Sequence, residues 1–135
     1  MKISASINSQ LNHHHIQVQT NDASKEIHIA SKPSGYGSSV NGGELLLLSL
    51  ATCFCNDIYR EAAKKNINVS GVEVDFTGEF GKDGEPGSNF SYTAHVISDA
   101  PAEVIRELIE HTDRIAEIHN TLRKGLDITL SKQAN

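Results

Sequence analysis

An α+β fold, with strands gathered into hairpins instead of alternating strictly with helices, is what this amino-acid sequence predicts. Three observations carry that reading. Near the start, short segments alternate polar and apolar residues at period two. A glycine-rich loop then leads into one long run of apolar helix formers, Glu44-Leu45-Leu46-Leu47-Leu48-Ser49-Leu50-Ala51-Thr52-Cys53-Phe54-Cys55, with no turn residue before Asn56. Behind it come two more alternating segments and two helical ones. The expected order is βββ-α-ββ-αα-β, without internal repeats, in a single domain over residues 1–135.

Lys2–Asn8, His15–Thr20 and Lys25–Ala30 read as strands, with Asn21-Asp22-Ala23-Ser24 as the turn between the last two. Ser31–Gly43 is polar, glycine-rich and aperiodic, the kind of surface loop that edges a site. Its glycines lack the Lys-Ser/Thr ending of a phosphate-binding loop. The long helix is expected to start near Gly43 or Glu44, with Asn41 suited to cap it and Glu44 to the positive end of its dipole. Lys64 and Lys65 suit the opposite end, and Asn66-Ile67-Asn68 breaks the helix. Val69–Phe80 and Asn89–Ile97 form a hairpin about the turn Gly81–Ser88. Asp99 is placed to cap a helix that carries Pro101 and Glu103 in its first turn. Val104, Ile105, Leu108 and Ile109 fall on one face of it. A short helix from about Asp113 to Leu122 follows, and Asp127-Ile128-Thr129-Leu130 closes the chain as a strand after Gly125.

Composition narrows the function. The chain carries a net charge of -5, so it lacks the basic stripe of a nucleic-acid binder. It has no tryptophan and 5% aromatic residues, so aliphatic side chains must fill the core. A core this lean is expected to be completed by a second copy. No segment reaches the ~18 apolar residues of a membrane span. The alternating start, Met1–Asn8, lacks the apolar stretch of a signal peptide. The two cysteines, separated by one residue, are no disulfide framework and suit a reducing compartment. A cytoplasmic, soluble protein without membrane or nucleic-acid partners is the expectation.

The residues with chemistry are few. On the long helix Cys53 shares a face with Ser49, Leu50, Asn56, Asp57 and Arg60. Cys55 sits about 200° round the axis. The two sulfurs therefore point apart, which argues against a disulfide between them and against a metal clip. Either cysteine can be a small buried hydrophobe. Alternatively Cys53 is a thiolate nucleophile, which needs nearby positive charge to ionise below the free value of about 8.5. His13-His14-His15 is the second unusual feature: in a strand His13 and His15 face one way and His14 the other. That is either a solvated hairpin edge or part of a ligand set whose other members are not evident. No metal or cofactor is expected.

At Glu44-Leu45-Leu46-Leu47 and Leu50-Ala51-Thr52-Cys53-Phe54 the chain resembles the OsmC/Ohr family of osmotically inducible and organic hydroperoxide resistance proteins. The glycine-rich lead-in, Asn66-Ile67-Asn68-Val69 opening the next strand, and Gly125-Leu126-Asp127-Ile128 near the end extend the likeness over most of the chain. The resemblance implies an intertwined homodimer with the long helices at its centre and two sites at the subunit interface. It also implies thiol peroxidase chemistry, in which a cysteine reduces an organic hydroperoxide and an external thiol restores it. Cys53 takes the position of the attacking cysteine.

Three departures from the family pattern accompany the likeness. His119 stands where the second cysteine is expected. The first hairpin carries His13-His14-His15 where typical members have an activating arginine. The usual glutamate position holds Gly43, with Glu44 one place later. The resemblance therefore implies a divergent peroxidase with Cys53 as nucleophile, assisted by Glu44, His15 and His119, acting on a small organic hydroperoxide with a thiol reductant. The alternative is a catalytically silent relative that binds a small apolar ligand at the dimer interface.

Overall fold

The computed structural model describes residues 1–131. Its contacts gather into two compact units, one from Met1 to Leu45 and one from Leu46 onward.

The first unit is an antiparallel meander of β1 (Ile3–Gln10), β2 (His13–Thr20) and β3 (Ala23–Ile27), in that order. Each connection is tighter than the alternation suggests. Asn12 and Asn21 adopt positive φ (55° and 50°), a conformation asparagine tolerates better than most residues, and so each hairpin reverses within two residues. Ala23 and Ser24, expected in the turn, therefore belong to β3, and His28–Ala30 lie beyond its end.

Helix α1 runs Gly42–Lys64. Asn41 caps it as expected: the Glu44 N–H donates to Asn41 Oδ1 (2.8 Å), while the Asn41 N–H donates to Glu44 Oε1 (3.0 Å). This reciprocal pair is a capping box. At the far end Asn66 takes positive φ. Ile67 N–H then bonds to the Ala62 carbonyl (2.9 Å) and Asn66 N–H to that of Ala63 (3.2 Å), closing the helix in a Schellman motif.

The second unit buries α1 against a hairpin and a helix. β4 (Gly71–Glu79) pairs antiparallel with β5 (Ser88–Ile97), with a register break between Thr77 and Glu79. Gly78 sits in that break, where a side chain would collide with the Phe90 ring. Leu50, Phe54, Ile58 and Ala62 recur every fourth residue, and all four are buried. Phe54, Ile58 and Ala62 meet Val96 of β5 and Leu108 of the next helix in one core. Tyr92, Ile105 and Ile109 pack around it.

That helix, α2, spans Ala102–Ile115 and starts behind Pro101 with no side-chain cap; Asp99, expected to cap it, does not. Asp113 belongs to α2 and not to the short helix after it. Ala116, with extended backbone (φ -65°, ψ 114°), separates α2 from α3 (Glu117–Lys124), which stops at Gly125 (φ 78°). The expected closing strand is absent: Asp127–Leu130 forms no ladder among the described residues, and Ile128 is 91% exposed. A strand needs a neighbouring edge to satisfy its backbone groups, and neither sheet pairs with this segment. No helix among the described residues is long and apolar enough to cross a membrane.

Candidate functional site

Two side-chain clusters in the second unit hold the chemistry, and α3 contributes to both. The first surrounds Cys53, which is half-buried and unbridged. One turn along α1, Asp57 Oδ2 lies 3.7 Å from its sulfur, and Glu117 Oε2, from the first residue of α3, lies 3.8 Å away. The thiol hydrogen thus has two carboxylate acceptors. Arg60 holds the same two groups from outside, 2.9 Å from Asp57 Oδ1 and 3.6 Å from Glu117 Oε1, and its Nε donates to Glu61 (2.9 Å).

The electrostatics follow from this order of charges. Burial pushes the Cys53 thiol up, the negative charges of Asp57 and Glu117 push it further, and a backbone hydrogen bond from Ile118 offsets part of the rise. Burial and the neighbouring Glu117 also raise Asp57, against the pull of Arg60. The sequence calls for a cation near the sulfur and places Arg60 on the same helical face. The structure brings Arg60 in, but as the partner of the carboxylates that touch the sulfur. Glu117 was missed: only its place in the first turn of α3 marks it, and nothing in the sequence ties that turn to α1. The donor atoms of Cys53, Asp57 and Glu117 lie within 4.8 Å of one another. Arg60 contacts both of these carboxylates. Behind it, Glu61 receives Arg60, Lys64 and His111, each at 2.9 Å, and these bonds draw its carboxyl down to about 2.

The second cluster is aromatic. His119 is only 4% exposed. Its ring lies 5.3 Å from Phe76 and 5.1 Å from Tyr92, nearly perpendicular to both, and 5.8 Å from Phe54. Phe76 and Tyr92 stack at 4.4 Å. Neither ring nitrogen of His119 has a hydrogen-bond partner. Burial first, and Arg123 second, push this histidine towards its neutral form, against a smaller opposing pull from Asp113.

The remaining predicted residues lie in the first unit. His15 Nε2 sits 2.9 Å from Glu26 Oε1 across β2 and β3, and both side chains are exposed. His13 is exposed, whereas both ring nitrogens of His14 are buried without a partner. The Glu44 carboxylate is engaged in the α1 cap. Cys53 and His119 thus fall in one unit, His15 and Glu44 in the other.

A meander, one long capped helix with a half-buried thiol, a hairpin and two short helices define an α+β thiol-bearing protein. The family profile described as OsmC-like protein matches residues 35–131, and the chain belongs to that family. A comparison with curated proteins finds no match. Among solved structures, the chain is similar to an OsmC-like protein from Mycoplasma pneumoniae (TM-score 0.60, 20% identity, covering 89% of this chain and 87% of that one). It is also similar to a putative osmotic stress induced and detoxification response protein from Psychrobacter arcticus (TM-score 0.63, 16% identity, 86% and 85% covered). A third is an organic hydroperoxide resistance protein from Legionella pneumophila (TM-score 0.59, 15% identity, 91% and 90% covered). At these identities the likeness establishes the fold.

Proposed function

We propose that this protein is a divergent thiol-dependent peroxidase that reduces organic hydroperoxides through Cys53, acting as a homodimer in a reducing cytoplasm. The observation that carries the reading is the half-buried, unbridged Cys53 sulfur on α1, at the position the family resemblance gives to the attacking cysteine. Membership of the OsmC-like family and likeness to proteins named for hydroperoxide resistance support it. In this reading Asp57 or Glu117 takes the thiol proton. The thiolate attacks one peroxide oxygen, the O–O bond breaks, and the sulfur becomes a sulfenic acid. The departing alkoxide takes a proton and leaves as the alcohol. An external thiol then attacks the sulfenic sulfur and releases water, and a second thiol frees Cys53 as the reductant becomes a disulfide. Glu44, His15 and His119 enter the proposal as auxiliary groups, each with a structural role of its own beside it. The exposed apolar side chains of α1, Leu48 (59%) and Tyr59, support pairing with a second copy.

The direct test is a dimedone-type trap with tert-butyl or cumene hydroperoxide. Label on Cys53 and none on Cys55, with turnover lost in Cys53→Ser, is expected. Equal or absent labelling refutes the reading. One observation favours a second reading: a thiol flanked by carboxylates resists ionisation, as suits a silent relative that binds a small apolar ligand at a dimer interface. Zero hydroperoxide turnover, together with a co-purified ligand in native mass spectrometry, would select it.

A further inference from the structure

The sequence leaves the partners of the His13-His14-His15 run open, and the strand register supplies them. His15 pairs with Asn8 of β1, and Gln17 pairs with Glu26 of β3. Residues two apart in a strand share a face, so His15, Gln17 and Glu26 lie together on the polar side of the meander. Ile7, Ile16 and Ile27 occupy the opposite side. The β2–β3 ladder ends at Ile16 with Ile27, which brings His28 to the level of His15 as the chain leaves β3. His15, Glu26 and His28 thus form a compact patch, with backbones about 5 Å apart across the strands and about 6.6 Å apart along them.

Two imidazoles and a carboxylate are a donor set that suits zinc and its late first-row neighbours. His15 Nε2 and Glu26 Oε1 already stand 2.9 Å apart. Two ligands of one tetrahedral zinc, each about 2.0–2.1 Å from the metal, are about 3.3 Å apart, so this pair has to open only slightly to admit an ion. The Glu26 carboxyl is held below its usual range by the hydrogen bond and charge of His15, and further by the charge of His28. All three side chains are exposed, so closing the set takes rotation about side-chain bonds on a fixed backbone. An exposed His–Glu pair contributes little stability of its own, so exchanging its shared proton for a metal sacrifices little. His13 shares the face but lies four residues along from the level of Glu26, about 13 Å away, too far to join the same ion.

We propose that the polar face of the meander binds one divalent transition-metal ion of the zinc type, held by His15, Glu26 and His28. The site is built within the first unit and is independent of Cys53.

Chelator-treated full-length protein titrated with zinc chloride tests this, read by calorimetry and by the ring ¹⁵N resonances of the histidines. One ion per chain is expected, with the His15 and His28 rings moving together and the His95 ring still. His15→Ala, His28→Ala and Glu26→Gln should each weaken binding about tenfold or more. These positions are exposed, so the variants keep the fold. His13→Ala and Cys53→Ser retain binding, and the second separates this site from the Cys53 cluster and from the peroxidase reading. No binding at millimolar zinc, binding abolished in Cys53→Ser, or equal loss in His13→Ala and His28→Ala overturns the proposal. So does a His28 ring signal that stays still while zinc binds.

Discussion

Replacing Asp57 by asparagine should make Cys53 more reactive, not less. The carboxylate oxygen lies 3.7 Å from the sulfur. At an effective dielectric near 20, two unit charges at that range repel by about 4 kcal/mol. Arg60, 2.9 Å from the other oxygen of the same carboxylate, cancels roughly half of that, leaving about 2 kcal/mol against the thiolate. Two kcal/mol corresponds to about thirtyfold more thiolate below the thiol's titration point. A thiolate so stabilised is also a weaker nucleophile, and a Brønsted slope near 0.5 removes about fivefold of the gain. The net expectation is alkylation by iodoacetamide about fivefold faster in Asp57→Asn than in the native protein, at pH 8 and low salt. Labelling is resolved by mass spectrometry so that Cys55 serves as an internal reference. Unaltered or slower labelling of Cys53, in a variant with native circular dichroism, would refute the view that the flanking carboxylates suppress the thiolate.

Three further outcomes are expected. Phe54→Ala removes a fully buried ring from the centre of the second unit and should cost about 3–5 kcal/mol in urea unfolding. Glu44→Ala breaks the capping box and should cost about 1 kcal/mol, whereas Glu44→Gln keeps an acceptor and should cost little. Hydroperoxide turnover lost in a stable Glu44→Gln would show that the carboxylate does more than cap. Glu61 ionises more readily folded (about 2) than at its ordinary value of 4.5, so the unfolded chain takes up its proton first on acidification. Its contribution is therefore complete above 4.5 and is lost as pH falls from there towards 2. Glu61→Gln should flatten the stability profile in that window, as followed by denaturant midpoints.

Much of the architecture was legible because local chemistry dictates it. The α1 boundaries follow from Asn41 with Glu44 at one end and Asn66 at the other, and the four-residue spacing of Leu50, Phe54, Ile58 and Ala62 marks the face that is buried. Two helices were expected after the hairpin, but the position of the break between them was not legible, because it falls at Ala116, a good helix former with extended backbone. The expected final strand does not form among the described residues, for a different reason. Alternation marks Asp127–Leu130 as strand-competent, yet competence does not supply an edge to pair with. Within the site, Cys53 and Asp57 could be placed together from helical spacing alone. Glu117, far along the chain, and the aromatic enclosure of His119 are products of tertiary packing and left no periodic trace.

Ala116 carries a consequence beyond topology. The eight residues of α3 are joined to α2 through that single extended residue, and they deliver Glu117 to the sulfur and His119 to the aromatic rings at once. The setting of the Cys53 thiol and the packing around His119 therefore depend on one short segment. Anything that tilts this short segment retunes both together, and its amides should exchange with deuterium as a single group, sooner than those of α1.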